Sequence, residues 1–523
     1  MRHLIKYMVR SVLLIATFGF VAMSCNEQPR EEILKVYNWG DYIDEELLTE
    51  FEEWYEEQTG CPVKVVYQTF DINEVMLAKI EKGEADFDVV CPSEYIIERM
   101  MRHDILEPIM TDEFRADLES TGTENYIEKY ISPYILNQFG HIIAPEGHDP
   151  RDYSVGYMWG TTGILYNTEY VTEEEAMSWN LLFDERLEGK ILIKDAFRDV
   201  YSPMLVYAKT LEAREDGLIG KDDTLPLNAE VRATLGLSEE VPTIEDLMFD
   251  SSDESIALVE SYLKDMKRLV AGWEADFGKE MMTQNKAWIN LMWSGDAVWA
   301  IEEAAEVDVS LDYVVPEEGS VVWFDGWVIP KYAKNTRAAR YFINFMCKPE
   351  NAVRNMDATG YVSVIGARET LEAMELLTPI LAEIEECDDA EERAELEAAR
   401  DEILEMGPTD LSYFFKDENG EPLRFVGENG YEIHADSVYI DPIMYPDKSV
   451  IDRCAMMHDS GEQTDKMLEM WSRVKGDNLS PVMLIFIIVS FVILIVWGVW
   501  RKVAKHRKMK KMLKRRHHER KIK

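Results

Sequence analysis

Between Leu34 and Cys91 the sequence switches repeatedly between two periodicities, and this restricts the fold more than any other feature. Leu34–Trp39 reads as a strand. Glu45–Thr59 reads as a helix, with Leu47, Leu48, Phe51, Trp54 and Tyr55 on one face and Gly60 as its stop. Val63–Tyr67 alternates like a strand. Ile72–Lys82 is helical again, with Val75, Met76, Lys79 and Ile80 at helical spacing and Gly83 behind them. Phe87–Cys91 is a short buried strand closed by Pro92. A β-α-β-α-β order implies a parallel sheet with helices on both faces. Such sheets bind ligands beyond the carboxyl ends of their strands. Trp39-Gly40-Asp41-Tyr42 and Pro92-Ser93-Glu94-Tyr95 are therefore candidate ligand contacts.

Further strands are expected over Tyr157–Asn167, Lys190–Asp195, Asn290–Trp293 and Ser320–Pro330, and a helix over Ser255–Trp273. Glu369–Met406 is acidic and helical, broken near Cys387-Asp388-Asp389. The dipeptides Asn419-Gly420 and Asn429-Gly430 suggest hairpin turns.

Both ends carry membrane signals. Arg2, Lys6 and Arg10 precede the apolar stretch Ser11–Met23, which is too short for a comfortable span and reads as a secretory signal over residues 1–24. It ends in Ala22-Met23-Ser24-Cys25, similar to the lipobox of bacterial lipoproteins, in which the cysteine is lipidated; an uncleaved anchor is the alternative. Residues 25–33 read as a linker. Pro481–Trp500 has no charge and the length of a transmembrane helix, with Trp497 and Trp500 at belt positions. The basic tail, residues 501–523, marks the cytoplasmic side, so residues 26–480 lie outside.

Cys25–Trp500 holds 39 basic and 99 acidic residues. Such a surface repels nucleic acid and attracts cations. The six cysteines form no zinc or CxxC spacing, and an odd number remains once Cys25 is set aside. No GxSxG elbow, HExxH motif or P-loop is present, and neither a metal nor a cofactor is implied. Paired acids such as Asp195 and Asp199 would suit a carboxylate-dependent hydrolase, but in so acidic a chain such pairs carry little specificity. A membrane-anchored ligand sensor is a further alternative, although the basic tail contains no recognisable signalling domain.

At Tyr37-Asn38-Trp39-Gly40-Asp41-Tyr42 the sequence resembles the spermidine/putrescine-binding proteins of bacterial ABC importers. The resemblance continues in order through Val90–Tyr95, Trp159–Ile164, Ser178-Trp179, Asp195–Val200, Trp293–Asp296, Trp323–Asp325, Gly360-Tyr361 and Tyr445–Asp447. It implies an α/β, two-lobed type II periplasmic binding protein with a hinge, here with one C-terminal transmembrane helix. The first lobe would take residues 34–152 and a segment after 325. The second would take residues 153–478, with an acidic insertion at about 367–441. The implied partners are a polyamine, the ABC permease and its ATPase subunits, and the membrane. The implied location is the periplasmic side of the inner membrane.

A polyamine carries ammonium groups at fixed distances along an alkyl chain. Carboxylates must meet the ammonium groups, because an unpaired buried charge is costly. Aromatic faces must cover the methylenes and add cation–π attraction. The resemblance implies an aromatic box of Trp39, Tyr42, Tyr95, Trp293, Trp323 and Tyr361. It implies carboxylates Asp199, Asp296 and Asp325 for the ammonium groups, with Asp41 and Ser93 nearby. Asp41 and Asp296 resemble the putrescine-binding branch. Ala196 and Met457 stand where the spermidine-binding branch has an acid and an amide. The balance favours putrescine, or a site that takes both.

Overall fold

The computed structural model describes residues 29–476, apart from 84–85 and 276. The expected signal sequence, Cys25, the span 481–500 and the basic tail lie outside the described residues. Among the described residues no helix is long and apolar enough to cross a membrane. The chain divides into two units at Thr464. Every strand and every candidate contact belongs to the first, and the described part of the second is the helix Thr464–Gly476 beyond its first residue.

The strands are β1 (Ile33–Trp39), β2 (Lys64–Phe70), β3 (Val89–Val90), β4 (Leu106–Glu107), β5 (Ser154–Asn167), β6 (Ile191–Lys194), β7 (Val270–Glu274), β8 (Ile289–Trp293), β9 (Leu311–Val314), β10 (Ser320–Pro330), β11 (Val362–Ser363), β12 (Arg424–Val426), β13 (Glu432–His434) and β14 (Cys454–Ala455). The main sheet runs β2-β1-β3-β10-β5-β8-β6-β7, with β4 and β14 on β10, and β9 and β11 on β5.

Two parallel sets lie within this order. In one, β1 pairs in parallel with β2 and β3; in the other, β6 pairs in parallel with β7 and β8. Their link is an antiparallel pair of long strands. β10 and β5 run together over Ser154–Thr161 and Val322–Val328, and each also pairs with a strand on its other side. Thr162–Tyr166 of β5 continues onto β8, while Val328 of β10 pairs with β3. Both strands are buried along their whole length. Each therefore passes from one half of the sheet into the other, and the parallel sets present their carboxyl ends near this crossing.

The parallel sheet expected from the β-α-β-α-β order thus holds within each half, whereas the whole is mixed. The second expected helix forms over Asn73–Glu81, but it buries Asn73, Met76, Leu77 and Ile80, and Val75 is exposed. The expected helix Ser255–Trp273 is also corrected. It runs Asp253–Lys267, and after Leu269 the chain enters β7, which contains Trp273. Val270, Gly272 and Trp273 suit a strand better than a helix, and pairing with β6 decides the matter.

The acidic segment forms helices Leu377–Glu386 and Ala390–Met406, broken where the sequence suggested. A further break falls at Glu375, whose carboxylate accepts from the amides of Leu377 and Thr378. Gly430 (φ 85°) turns the hairpin β12–β13, and Gly420 (φ 81°) turns the short bridge between Lys416 and Pro422.

Candidate functional site

Asp325 sits in β10, where the register against β5 shifts between Asp325 and Gly326. Such a bulge re-aims a side chain. Asp325 is buried, and its carboxylate accepts from Ser93 Oγ at 2.6 Å and from Tyr42 OH at 2.9 Å. Ser93 is in the loop after β3, and Tyr42 follows β1. Of the candidate contacts read from the ends of the strands, Ser93 and Tyr42 thus meet at Asp325. Asn73 Nδ2 bonds both Ser93 Oγ and Tyr95 OH, each at 3.0 Å, and Tyr95 donates to Glu74 at 3.2 Å.

The aromatic groups form a connected wall. The Tyr42 ring meets Tyr361 edge-on at 5.1 Å, and Tyr361 meets Trp323 at 5.5 Å. Gly295 makes room for this arrangement: a Cβ there would lie 2.3 Å from the Tyr361 ring. Trp39 packs against Phe70 at 4.5 Å. The indole N–H groups of Trp39 and Trp323 are buried and have no acceptor among the described residues.

The second half of the sheet supplies Asp199, Trp293 and Asp296. Asp199 is buried near the start of helix Phe197–Glu215 and accepts from Trp293 Nε1 at 2.9 Å. It is not half of a surface pair with Arg198, because Arg198 is itself buried and donates to Ser460 Oγ and the His458 carbonyl. Asp296 lies in the first turn of helix Ser294–Ala305. Its carboxylate accepts from Tyr361 OH at 3.0 Å and pairs with Lys194 Nζ at 2.7 Å. Asp41 is different: it is exposed, in the left-handed region (φ 48°), and no other candidate side chain bonds it. Before the following helix, Asp44 accepts from Glu46 N through its side chain at 3.0 Å.

Lys194, Glu74 and Asn73 join the site without having been singled out in the sequence, whereas Glu94 belongs to the candidate stretch Pro92–Tyr95. Lys194 did leave a signal, as a charge at the end of the apolar run Ile191-Leu192-Ile193. Glu94 is buried and accepts from the Phe324 amide at 3.0 Å.

The carboxyl groups divide electrostatically. Burial pushes the Asp325 carboxyl up to about 7; Ser93 and Tyr42 oppose the rise and the charge of Asp199 adds to it. Burial also raises Asp199, against the Trp293 N–H and Arg198. Glu74 and Glu94 are raised by burial as well. Asp296 goes the other way: burial would raise it, but the ammonium groups of Lys194 and Lys279 hold it below the usual carboxylate range. Burial is the largest cause of each of these rises, and a cation nearby would favour the charged form. Among the described residues, no group of three or more His, Cys, Asp and Glu side chains could hold a metal ion.

Comparison with known proteins shows the family to which the chain belongs. The family model described as bacterial extracellular solute-binding protein matches residues 47–374, well over half of the chain. The chain belongs to this family. As a solute-binding protein it works outside the cytoplasm and is not an enzyme. It is 26% identical over 372 residues to the spermidine/putrescine-binding periplasmic protein of Escherichia coli, covering 71% of this chain and 87% of that one. It is 28% identical over 357 residues to the putrescine-binding periplasmic protein PotF of the same organism, covering 66% and 81%. Among solved structures, it is similar to the spermidine/putrescine ABC transporter substrate-binding protein PotD of Streptococcus pneumoniae, with a TM-score of 0.50, 26% identity, and coverage of 85% of this chain and 98% of that one. The TpPotD lipoprotein of Treponema pallidum shares the fold, with a TM-score of 0.52 at 19% identity over 84% of this chain and 99% of that one.

Proposed function

We propose that this solute-binding protein captures a polyamine of the putrescine or spermidine type and delivers it to an ABC permease. The observation that carries this reading is Asp325, a buried carboxyl with two hydroxyl donors, raised to about 7 and set beside the Tyr42–Tyr361–Trp323 wall. A cation entering there would ionise Asp325 and offset its burial, while the rings cover the alkyl chain. The names of the relatives in Escherichia coli point to the same ligands.

The two halves of the sheet act as two lobes in this reading, the first within residues 34–152 with a piece after 325 and the second within residues 153–478. The crossing strands β5 and β10 serve as the hinge. Ligand would join Asp325 and Ser93 of one lobe to Asp199 and Trp293 of the other, and closure would exclude water and strengthen the ionic contacts. Residues 481–500 span the inner membrane, residues 501–523 lie in the cytoplasm, and Cys25 carries a lipid.

The test is calorimetric titration of the full chain in detergent with putrescine, spermidine and 1,4-butanediol. Polyamine binding at micromolar or tighter affinity, lost in Asp325→Asn and absent for the diol, is expected. Folded protein that binds neither polyamine overturns the reading.

A further inference from the structure

Asp296 is already served by a cation from its own chain. Lys194 ends β6 with its side chain fully buried, and its ammonium group meets three acceptors: Asp296 Oδ2 at 2.7 Å, the Ala275 carbonyl at 3.2 Å and Glu274 Oε1 at 3.3 Å. An ammonium group has three N–H donors, so all are engaged. It also lies over the Trp293 ring, 4.4 Å from the centroid. Glu274 is fully buried and is held in turn by Asn290 Nδ2 and the Gly278 amide, both at 3.1 Å. Withdrawing Lys194 would strand the Glu274 carboxylate in the interior, which is strongly unfavourable. Lys279 adds a second ammonium group 3.6 Å from Asp296.

In this corner two lysines thus face Glu274 and Asp296. Elsewhere in the site, Asp325 is met by the hydroxyls of Ser93 and Tyr42, and Asp199 by the Trp293 N–H. Trp293 separates the two regions, its N–H on Asp199 and its face on Lys194.

Resting on the amine-binding reading above, we propose that Lys194 is the resident occupant of the Asp296 subsite, so that this protein recognises its ligand through a single ammonium group at Asp325 and Asp199. A second charge on the ligand gains nothing, because the place for it is filled and flanked by positive lysines. The ligand class is thereby widened from polyamines to short alkylamines with one ammonium end and an uncharged polar end, such as an amino alcohol or an N-acylated diamine. The buried Trp323 N–H fits this class, because Trp323 packs against Tyr361, the partner of Asp296. A hydroxyl or carbonyl can accept from an indole N–H; an ammonium group cannot.

The experiment titrates the full chain in detergent with putrescine, 4-amino-1-butanol and 1,4-butanediol. The amino alcohol is expected to bind at least as tightly as putrescine, and the diol not at all. Putrescine binding more than about fivefold tighter than the amino alcohol overturns the proposal, since Asp296 would then be reading a second ammonium group. If no amine binds, the failure is of the amine-binding reading itself. A second arm uses Lys194→Met/Glu274→Gln, which removes the resident cation together with the anion that it neutralises. In that variant putrescine should gain at least about tenfold over the amino alcohol. An unchanged ratio in folded variant overturns the proposal, and should the variant not fold, the wild-type ratio decides.

Discussion

Asp325 accepts from two hydroxyl groups and forms no ion pair with any described lysine or arginine, so its proton and a cationic ligand compete for the same carboxylate. In the free protein the group is raised from 3.8 to about 7. Between these values the native state holds a proton that the unfolded chain has lost. The native state is thus favoured at the acid end, and that advantage is lost as pH rises from about 4 to about 7, by at most about 4 kcal/mol. Binding has the opposite dependence. The ligand requires the ionised group, so affinity should rise with pH, level off above about 7, and be about 30-fold weaker at pH 5.5 than at pH 8. Titrations across this range, with proton release read from buffers of different ionisation enthalpy, check both the slope and the sign. Asp325→Asn separates the two effects: it should raise thermal stability above about pH 7 by a few kcal/mol while abolishing binding. A variant that loses both would show that the carboxylate holds the site together. Asp325 was legible in the sequence, together with Ser93 and Tyr42, because an ordered set of motifs named all three. Its partner-poor burial was not, because a bulge opposite β5 and the convergence of three distant segments create it.

At the scale of elements, helices Leu377–Glu386 and Ala390–Met406 form an excursion anchored at neighbouring points. The Leu376 amide bonds the Tyr439 carbonyl at 2.9 Å, and the Thr409 amide bonds the Val438 carbonyl at 2.8 Å. The excursion therefore leaves and returns beside one strand of chain. The second helix buries no residue, and the first buries only Thr378. The segment just beyond is different. Phe414 is fully buried, stacks on Trp159 at 5.4 Å and meets Tyr445 at 5.3 Å. Replacing residues 377–406 by a short glycine-serine link should cost no more than about 1 kcal/mol and leave amine affinity unchanged, whereas Phe414→Ala should cost about 3–5 kcal/mol. Denaturant melts of both variants check this, and a large loss from the excision would mean that the acidic helices belong to the core. The sequence placed these helices and their break at Cys387 correctly, since acidic helical stretches are locally determined. It placed the end of the Ser255 helix wrongly, because Val270–Trp273 becomes a strand only by pairing with β6, a partner some eighty residues away in the chain.

For the whole molecule, the two expected anchors bear on transport rather than on capture. Every group in the site lies between Trp39 and Tyr361, and the charge-free stretch Pro481–Trp500 follows the last described helix after only four residues. As the proposed span, this stretch would tie the binding protein to the membrane that houses the permease. Linking two partners in this way acts as a millimolar effective concentration and adds no contact of its own. A chain ended at Gly476 should therefore bind its amine with unchanged affinity, whereas uptake of labelled amine at equal expression should fall at least about tenfold. Restoring the span from an unrelated membrane protein should restore uptake, because the argument needs proximity and not a specific helix surface. Equal uptake by the released protein would show that docking on the permease is tight enough by itself, and the span would then need another explanation.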